Sequence, residues 1–222
     1  MAGKNNYKHT KWFWHIKMIP ILLIGGGGHC GACIDVLEST GRYEIRGIVR
    51  PSKGDAATLF GYETLGADED LPWLLEESPA TLITIGQIKT SEPRRRIYGA
   101  LKSLKAHFPV IVSPHARVSS HASVGEGSIV MHHALVNAGA VVSENCIVNS
   151  MALIEHDAVI GPHSHISTGA RINGGVKIGS GCFVGSGAVL REGIEVGNDA
   201  IIGAGQVVMR DVPSSTCLKN HL

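Results

Sequence analysis

The chain has 222 residues, 44% of them hydrophobic, enough for one large domain or two small ones to bury a core. Twenty Lys and Arg against nineteen Asp and Glu leave a net charge of +1, which excludes the strong basic field of a nucleic-acid or membrane-surface binder and points to a small molecule or another protein as partner. Five cysteines, at 30, 33, 146, 182 and 217, show no zinc-ribbon spacing and suit free thiols in a reducing cytoplasm.

The opening MAGKNNYKHTKWFWHIK is basic, aromatic and unpatterned, so residues 1–17 are set apart as an accessory leader of unassigned role. The run IPILLIGG falls well short of the roughly 18 apolar residues of a membrane span and lacks a small-residue cleavage site, so neither insertion nor export is expected. A cytoplasmic protein is the expected outcome.

Residues 18–109 alternate strand and helix signals. PILLI is a short apolar strand, GACIDVLEST has helical spacing, and YEIRGIVR is β-rich, which together make one βαβ unit. ATLITIG adds a strand. SEPRRRIYGALKSLKAHF adds a helix with Ser91 at its N-cap and Pro93 in its first turn, and FPVIVS follows as a further strand. A small parallel sheet flanked by helices is predicted. Between the first strand and its helix, Gly26-x-Gly28-x-x-Gly31 stands where glycines let a backbone approach phosphates at a helix N-terminus. The acid that reads a dinucleotide ribose about 20 residues on is missing, since GIVRPSKG offers Arg50, and the region is too short for a two-half dinucleotide fold.

From residue 110 the period becomes six. Every sixth position from Val112 to Val208 is aliphatic, seventeen in succession, with small residues such as Ala134, Ala152 and Ala170 two places before. Large residues pointing in and small ones at the corners are the mark of hexapeptide β-helix repeats over residues 110–213, three hexads making one coil of 18. Residues 214–222 are read as a C-terminal tail. Cys146 and Cys182 fall in the small corner slot.

Stacking every 18 residues places His156 between Ala138 and Gly174, so its ring projects with room beside it. Histidine titrates near neutrality, and an adjacent carboxylate fixes its tautomer and raises its basicity, which makes His156 a candidate general base. IEHD supplies two carboxylates, Glu155 and Asp157, and the strand alternation that would separate Asp157 from the ring breaks at a coil corner. A metal held by His156, Asp157, His163 and His165 is disfavoured, because His156 and His163 begin different sides of the prism.

The string VNSMALIEHDAVIGPHSHISTGARINGGVKIGSGCFVGSGAVL, behind a glycine-rich half domain, resembles the N-acetyltransferases of nucleotide-linked amino sugars of the bacillosamine and legionaminic acid pathways. This is the PglD/NeuD-like family, whose relatives O-acetylate sialic acids. The likeness spans about residues 21–213. It implies an α/β N-terminal half-Rossmann domain followed by a left-handed parallel β-helix of hexapeptide repeats, and a homotrimer with the active site between subunits. Acetyl-CoA is the implied co-substrate, with no metal. By position it implies His156 as the base, Asp157 as the acid enhancing it, and His165 against the acetyl end of the coenzyme. Ser186 and Ala204, which share a column, lie along the coenzyme; Gly27, Gly28 and His29 lie nearest the nucleotide sugar.

Uridine-specific relatives carry acids where this chain has Arg50 and Pro51, so Arg50 is a further substrate-binding candidate and the carrier is left open between UDP and GDP. The expected reaction is direct acetyl transfer to the 4-amino group of a nucleotide-linked 4-amino-4,6-dideoxy sugar, with a backbone N–H or His165 stabilising the oxyanion. O-acetylation of a sialic-acid-like sugar and a non-catalytic sugar-nucleotide-binding scaffold are the competing readings.

Overall fold

In the computed structural model, which describes residues 18–51 and 58–219, the run IPILLI forms strand β1 (Ile19–Ile24), and its last four residues are buried. Their side chains alternate. Ile21 and Leu23 face one apolar layer and Leu22 and Ile24 the other, as in a strand covered on both faces. Helix α1 (Gly28–Thr40) follows and packs Cys30, Cys33, Ile34 and Leu37 against the sheet. β2 (Tyr43–Val49) and β5 (Ala80–Ile83) flank β1 in parallel. β4 (Tyr62–Gly66) extends the sheet beside β2, and β3 (Thr58–Leu59) returns antiparallel to it. The opposite face is covered by α2 (Leu71–Glu77) and α3 (Glu92–Ser103). Ser91 stands at the N-cap of α3 as expected, although its hydroxyl makes no capping bond.

From Ile111 onward two-residue strands recur, sorted into three parallel sheets of six, five and seven members. Partners are 18 apart, as in Val136 with Ile154 and Ile154 with Ile172, so three hexads make one coil. The inward aliphatic column from Val130 to Val208 forms a single apolar core, with Cys146 and Cys182 buried in corner slots. Two sequence expectations change here. FPVIVS is the first rung of the prism, with Ile111 and Val112 pairing with Ile129 and Val130; among the described residues its tie to the α/β sheet is a bridge made by the preceding His107 to Ala80. The coil also runs past residue 213, since Cys217–Leu218 pairs with Ile201–Ile202. The leader expected over residues 1–17 lies outside the described residues, as do residues 220–222.

The two parts meet over one prism face. Ile111, Ile129 and Ile147 stack outward on it, at most 1% exposed, and pack against the α1 side of the α/β layer. Each such isoleucine contributes roughly 1.5–3 kcal/mol relative to exposure. The next residue in the column is His165, paired with Ile147, and there the apolar contact gives way to a cleft. Polar ties fix the junction: His132 donates through Nε2–H to the Asp35 carboxylate of α1 (2.9 Å), and its Nδ1 meets the Ser113 hydroxyl at 2.6 Å.

Candidate active site

The cleft, about 820 Å³, opens between the glycine turn, the loop after β5 and the prism. Gly25 has φ +111°, and a side chain there would strike Ile85, so only glycine serves as the strand leaves the sheet. Positions 27 and 28 have open space where a Cβ would stand, and α1 starts there with no side-chain cap. That terminus lines the cleft, and the N–H groups that open a helix suit phosphate oxygens. Arg50 lies across Gly26 at the end of β2, 7% exposed, its Nε without a partner among the described residues. Arg50 lines the cleft together with Arg96 and Asp68.

At the prism end stand His29 and His165, ring centroids 6.1 Å apart. Burial, helped by the buried Arg94 guanidinium, pushes His29 down to about 4. His165 falls to about 3, chiefly through burial, against a hydrogen bond to the Gln87 carbonyl that works the other way. Both rings are neutral at pH 7. Arg94 is wholly buried and donates through Nη2 to the backbone carbonyl and Oδ1 of Asn145, whose Nδ2 then donates to His163.

His156 lies elsewhere, at the corner after Leu153–Ile154. Its ring is 65% exposed, and Nδ1 is 2.9 Å from Asp157 Oδ2. Asp157 adopts φ +59°, and this left-handed turn brings two consecutive side chains together. Because a carboxylate only accepts, Nδ1 carries a proton, and in the neutral ring Nε2 presents a bare lone pair. The bond to Asp157 raises the His156 pKa above 6.5. Glu155 takes another role: its Oε2 accepts from Asn137 Nδ2 (2.8 Å) and from the His156 backbone N–H (3.3 Å), bracing the turn without touching the ring.

A Cβ on Gly174 would come within 2.6 Å of His156 Nε2, so the ring needs glycine beneath it. Gly174→Ala should swing the ring off Asp157 and cut turnover by up to about 10²-fold, the scale of a 1 Å misplacement, with melting temperature unchanged. Steady-state kinetics beside a thermal melt checks this.

Ser186 and Ala204 are exposed and one coil apart, joined by the Gly205 N–H to Ser186 carbonyl bond of 2.9 Å. A flat strip of small residues results, open to an extended chain running along the prism. Among the described residues, no three His, Cys, Asp or Glu side chains are placed to hold a metal ion. No helix among them is long and apolar enough to cross a membrane.

The family described as PglD N-terminal domain matches residues 20–101, and the hexapeptide repeat of succinyl-transferase matches residues 175–210. No curated protein sequence matches the chain significantly. The acetyltransferase domain of PglB from Neisseria gonorrhoeae FA1090, solved with acetyl coenzyme A, is 30% identical; the match covers 90% of this chain and 95% of that one, with a TM-score of 0.80. The chain belongs to the PglD-like family of hexapeptide-repeat acetyltransferases. PerB from Caulobacter crescentus, solved with CoA and GDP-perosamine, is 31% identical over 89% of this chain and 92% of that one, TM-score 0.83. WeeI from Acinetobacter baumannii AYE, 22% identical over 90% and 95%, TM-score 0.70, shares the fold.

In this PglD-like acetyltransferase the α/β domain precedes a left-handed β-helix, and the candidate residues other than Ser186 and Ala204 on their strip fall into two groups. Gly27, Gly28, His29, Arg50 and His165 share the cleft, whereas His156, Asp157 and Glu155 form a separate corner that does not line it. Sequence reasoning missed Gln87 and Asn149, both on the cleft wall. Asn149 carried a faint signal, a polar residue just after the inward Val148; Gln87 carried none.

Proposed function

We propose that the protein transfers the acetyl group of acetyl-CoA to the 4-amino group of a UDP- or GDP-linked 4-amino-4,6-dideoxy sugar. The observation that carries this reading is the exposed His156–Asp157 pair, a tautomerically fixed base with a free Nε2. The glycine turn and α1 terminus hold the diphosphate, with Arg50 adding positive charge, and the coenzyme lies along Ser186 and Ala204 with its acetyl end at His165. PerB, with its GDP-perosamine, supports an amino-sugar nucleotide as acceptor. His156 stands apart from the cleft of its own chain, which supports a homotrimer in which one subunit's base serves its neighbour's cleft. His156 takes the proton from the attacking amine, and the thiolate leaves as coenzyme A.

A thiol-release assay with acetyl-CoA against a panel of UDP- and GDP-linked amino sugars, with a free nine-carbon sugar as control, tests the reading. Release with an amino-sugar nucleotide is expected. Release with only the free sugar establishes O-acetylation instead, and nucleotide-sugar binding without acetyl-CoA binding establishes a scaffold.

The base must be neutral to act, and Asp157 raises its pKa. The kcat/KM profile should therefore climb with pH through a midpoint above 6.5, and Asp157→Asn should move that midpoint down. Comparing the two enzymes on one substrate cancels the amine's own titration. An unmoved midpoint rejects Asp157 as the enhancing acid.

A further inference from the structure

Gln87 and Asn149, which the proposed reaction leaves unused, form with His165 a hydrogen-bond chain whose directions are all fixed. The Gln87 backbone carbonyl can only accept, so its 2.8 Å contact with His165 requires the proton on Nδ1. The buried ring is neutral, so Nε2 is a bare lone pair, and Asn149 Nδ2 donates to it at 3.1 Å. The Asn149 amide orientation is set independently, because its Oδ1 accepts the Ser150 N–H at 2.8 Å. Gln87 is itself clamped. It is 3% exposed, and its Nε2 donates to the carbonyls of Gly181 (2.9 Å) and Cys182 (3.2 Å).

Two consequences follow from this polarity. His165 has no N–H left for the cleft, which corrects the expectation that it stabilises an oxyanion. An amide nitrogen carries two N–H groups, and Asn149, on the cleft wall beside His165, has given only one of them away. Among the described residues the second N–H meets no acceptor.

We infer that Asn149 is a catalytic residue whose free Nδ2–H holds the oxyanion of acetyl transfer, with His165 and Gln87 as positioning residues that aim it. The inference rests on the proposed acetyl-transfer reading of this cleft. The amine lone pair forms the N–C bond at the thioester carbonyl carbon, and the C=O pair moves onto oxygen, where the Asn149 N–H meets it. His156 Nε2 takes the amine proton. The oxygen pair then re-forms C=O, the C–S bond breaks, and the departing thiolate takes the proton back from His156. An amide locked at both ends needs no reorganisation as charge develops, which is the condition for such a donor to act on the transition state rather than on binding.

The test uses the full chain with whichever amino-sugar nucleotide the panel identifies. Asn149→Ala should lower kcat by about 10²–10³-fold, the usual loss for one oxyanion donor. KM for acetyl-CoA should stay within about threefold, a split that a merely structural role would not produce. Asn149→Asp, the same shape with a carboxylate in place of the donor, should lose as much. If the wild type is active and Asn149→Ala keeps kcat within about threefold, this inference alone is overturned. If the wild type transfers acetyl to no amine, the reading beneath it falls as well. A second measurement needs no variant: in ¹⁵N-labelled wild type, His165 should show a protonated Nδ1 and a bare Nε2. A protonated Nε2 overturns the relay even if the variants do not fold.

Discussion

His156→Ala should lower kcat for acetyl transfer by at least about 10²-fold and up to about 10⁴-fold, the range for loss of a general base. The ring contributes little to the fold, being 65% exposed and, among the described residues, bonded only to the still more exposed Asp157, so the melting temperature should hold while turnover collapses. His156→Gln separates basicity from shape, because it keeps a polar side chain but has no group that titrates near neutrality; it should be as inactive as the alanine variant. Activity within about threefold of wild type in either variant would remove His156 from the reaction. Mixed assemblies extend the experiment: His156→Ala and a variant blocked at the glycine turn, such as Gly25→Val, should each be inactive alone. Refolded together they should recover part of the activity if base and cleft come from different subunits.

Arg94→Ala should be the most destabilising single change at the domain junction. Arg94 is wholly buried, and among the described residues it alone supplies donors to the backbone carbonyl and side-chain oxygen of Asn145. Among the described residues no carboxylate pairs with it and its Nε and Nη1 lack partners, so burial holds its pKa down at about 10. Truncation leaves a large cavity and two stranded acceptors, costing about 3–5 kcal/mol, as removal of one partner of a buried charged contact does. At about 2–4 °C per kcal/mol for a chain of this size, the melting temperature should fall by roughly 10 °C. Arg94→Met should cost less, because it fills most of the space without burying a charge. A thermal melt of the two variants decides the order, and Met proving worse than Ala would show that the space around position 94 does not accept an apolar chain.

Much of the fold was legible because its periods are rigid. A six-residue repeat admits few three-dimensional solutions, and stacking at 18 follows from three hexads per coil, so the isolated ring at position 156 and the small-residue strip at 186 and 204 were readable as columns. The glycine turn was readable because Gly25 and Gly26 stand where a side chain would meet Ile85 or Arg50. FPVIVS was misassigned because a short β-branched run has the same pattern in either sheet, and only the pairing of Ile111 with Ile129 chose the prism. Gln87 and Asn149 stayed hidden because hydrogen-bond polarity depends on partners 78 and 16 residues away.

The sequence by itself determined the hexapeptide prism, which rests on a local period, carried the resemblance that implied the acyltransferase family, and offered Glu155 and Asp157 as the two carboxylates beside His156. The tertiary structure decided which histidines share a cleft. It put His29 and His165 together and left His156 on another corner, because docking of the α/β layer buries the isoleucine column of one prism face and stops at His165. It also decided where the protons sit, for burial neutralises the two cleft histidines and a carbonyl from a distant loop fixes which nitrogen of His165 is bare.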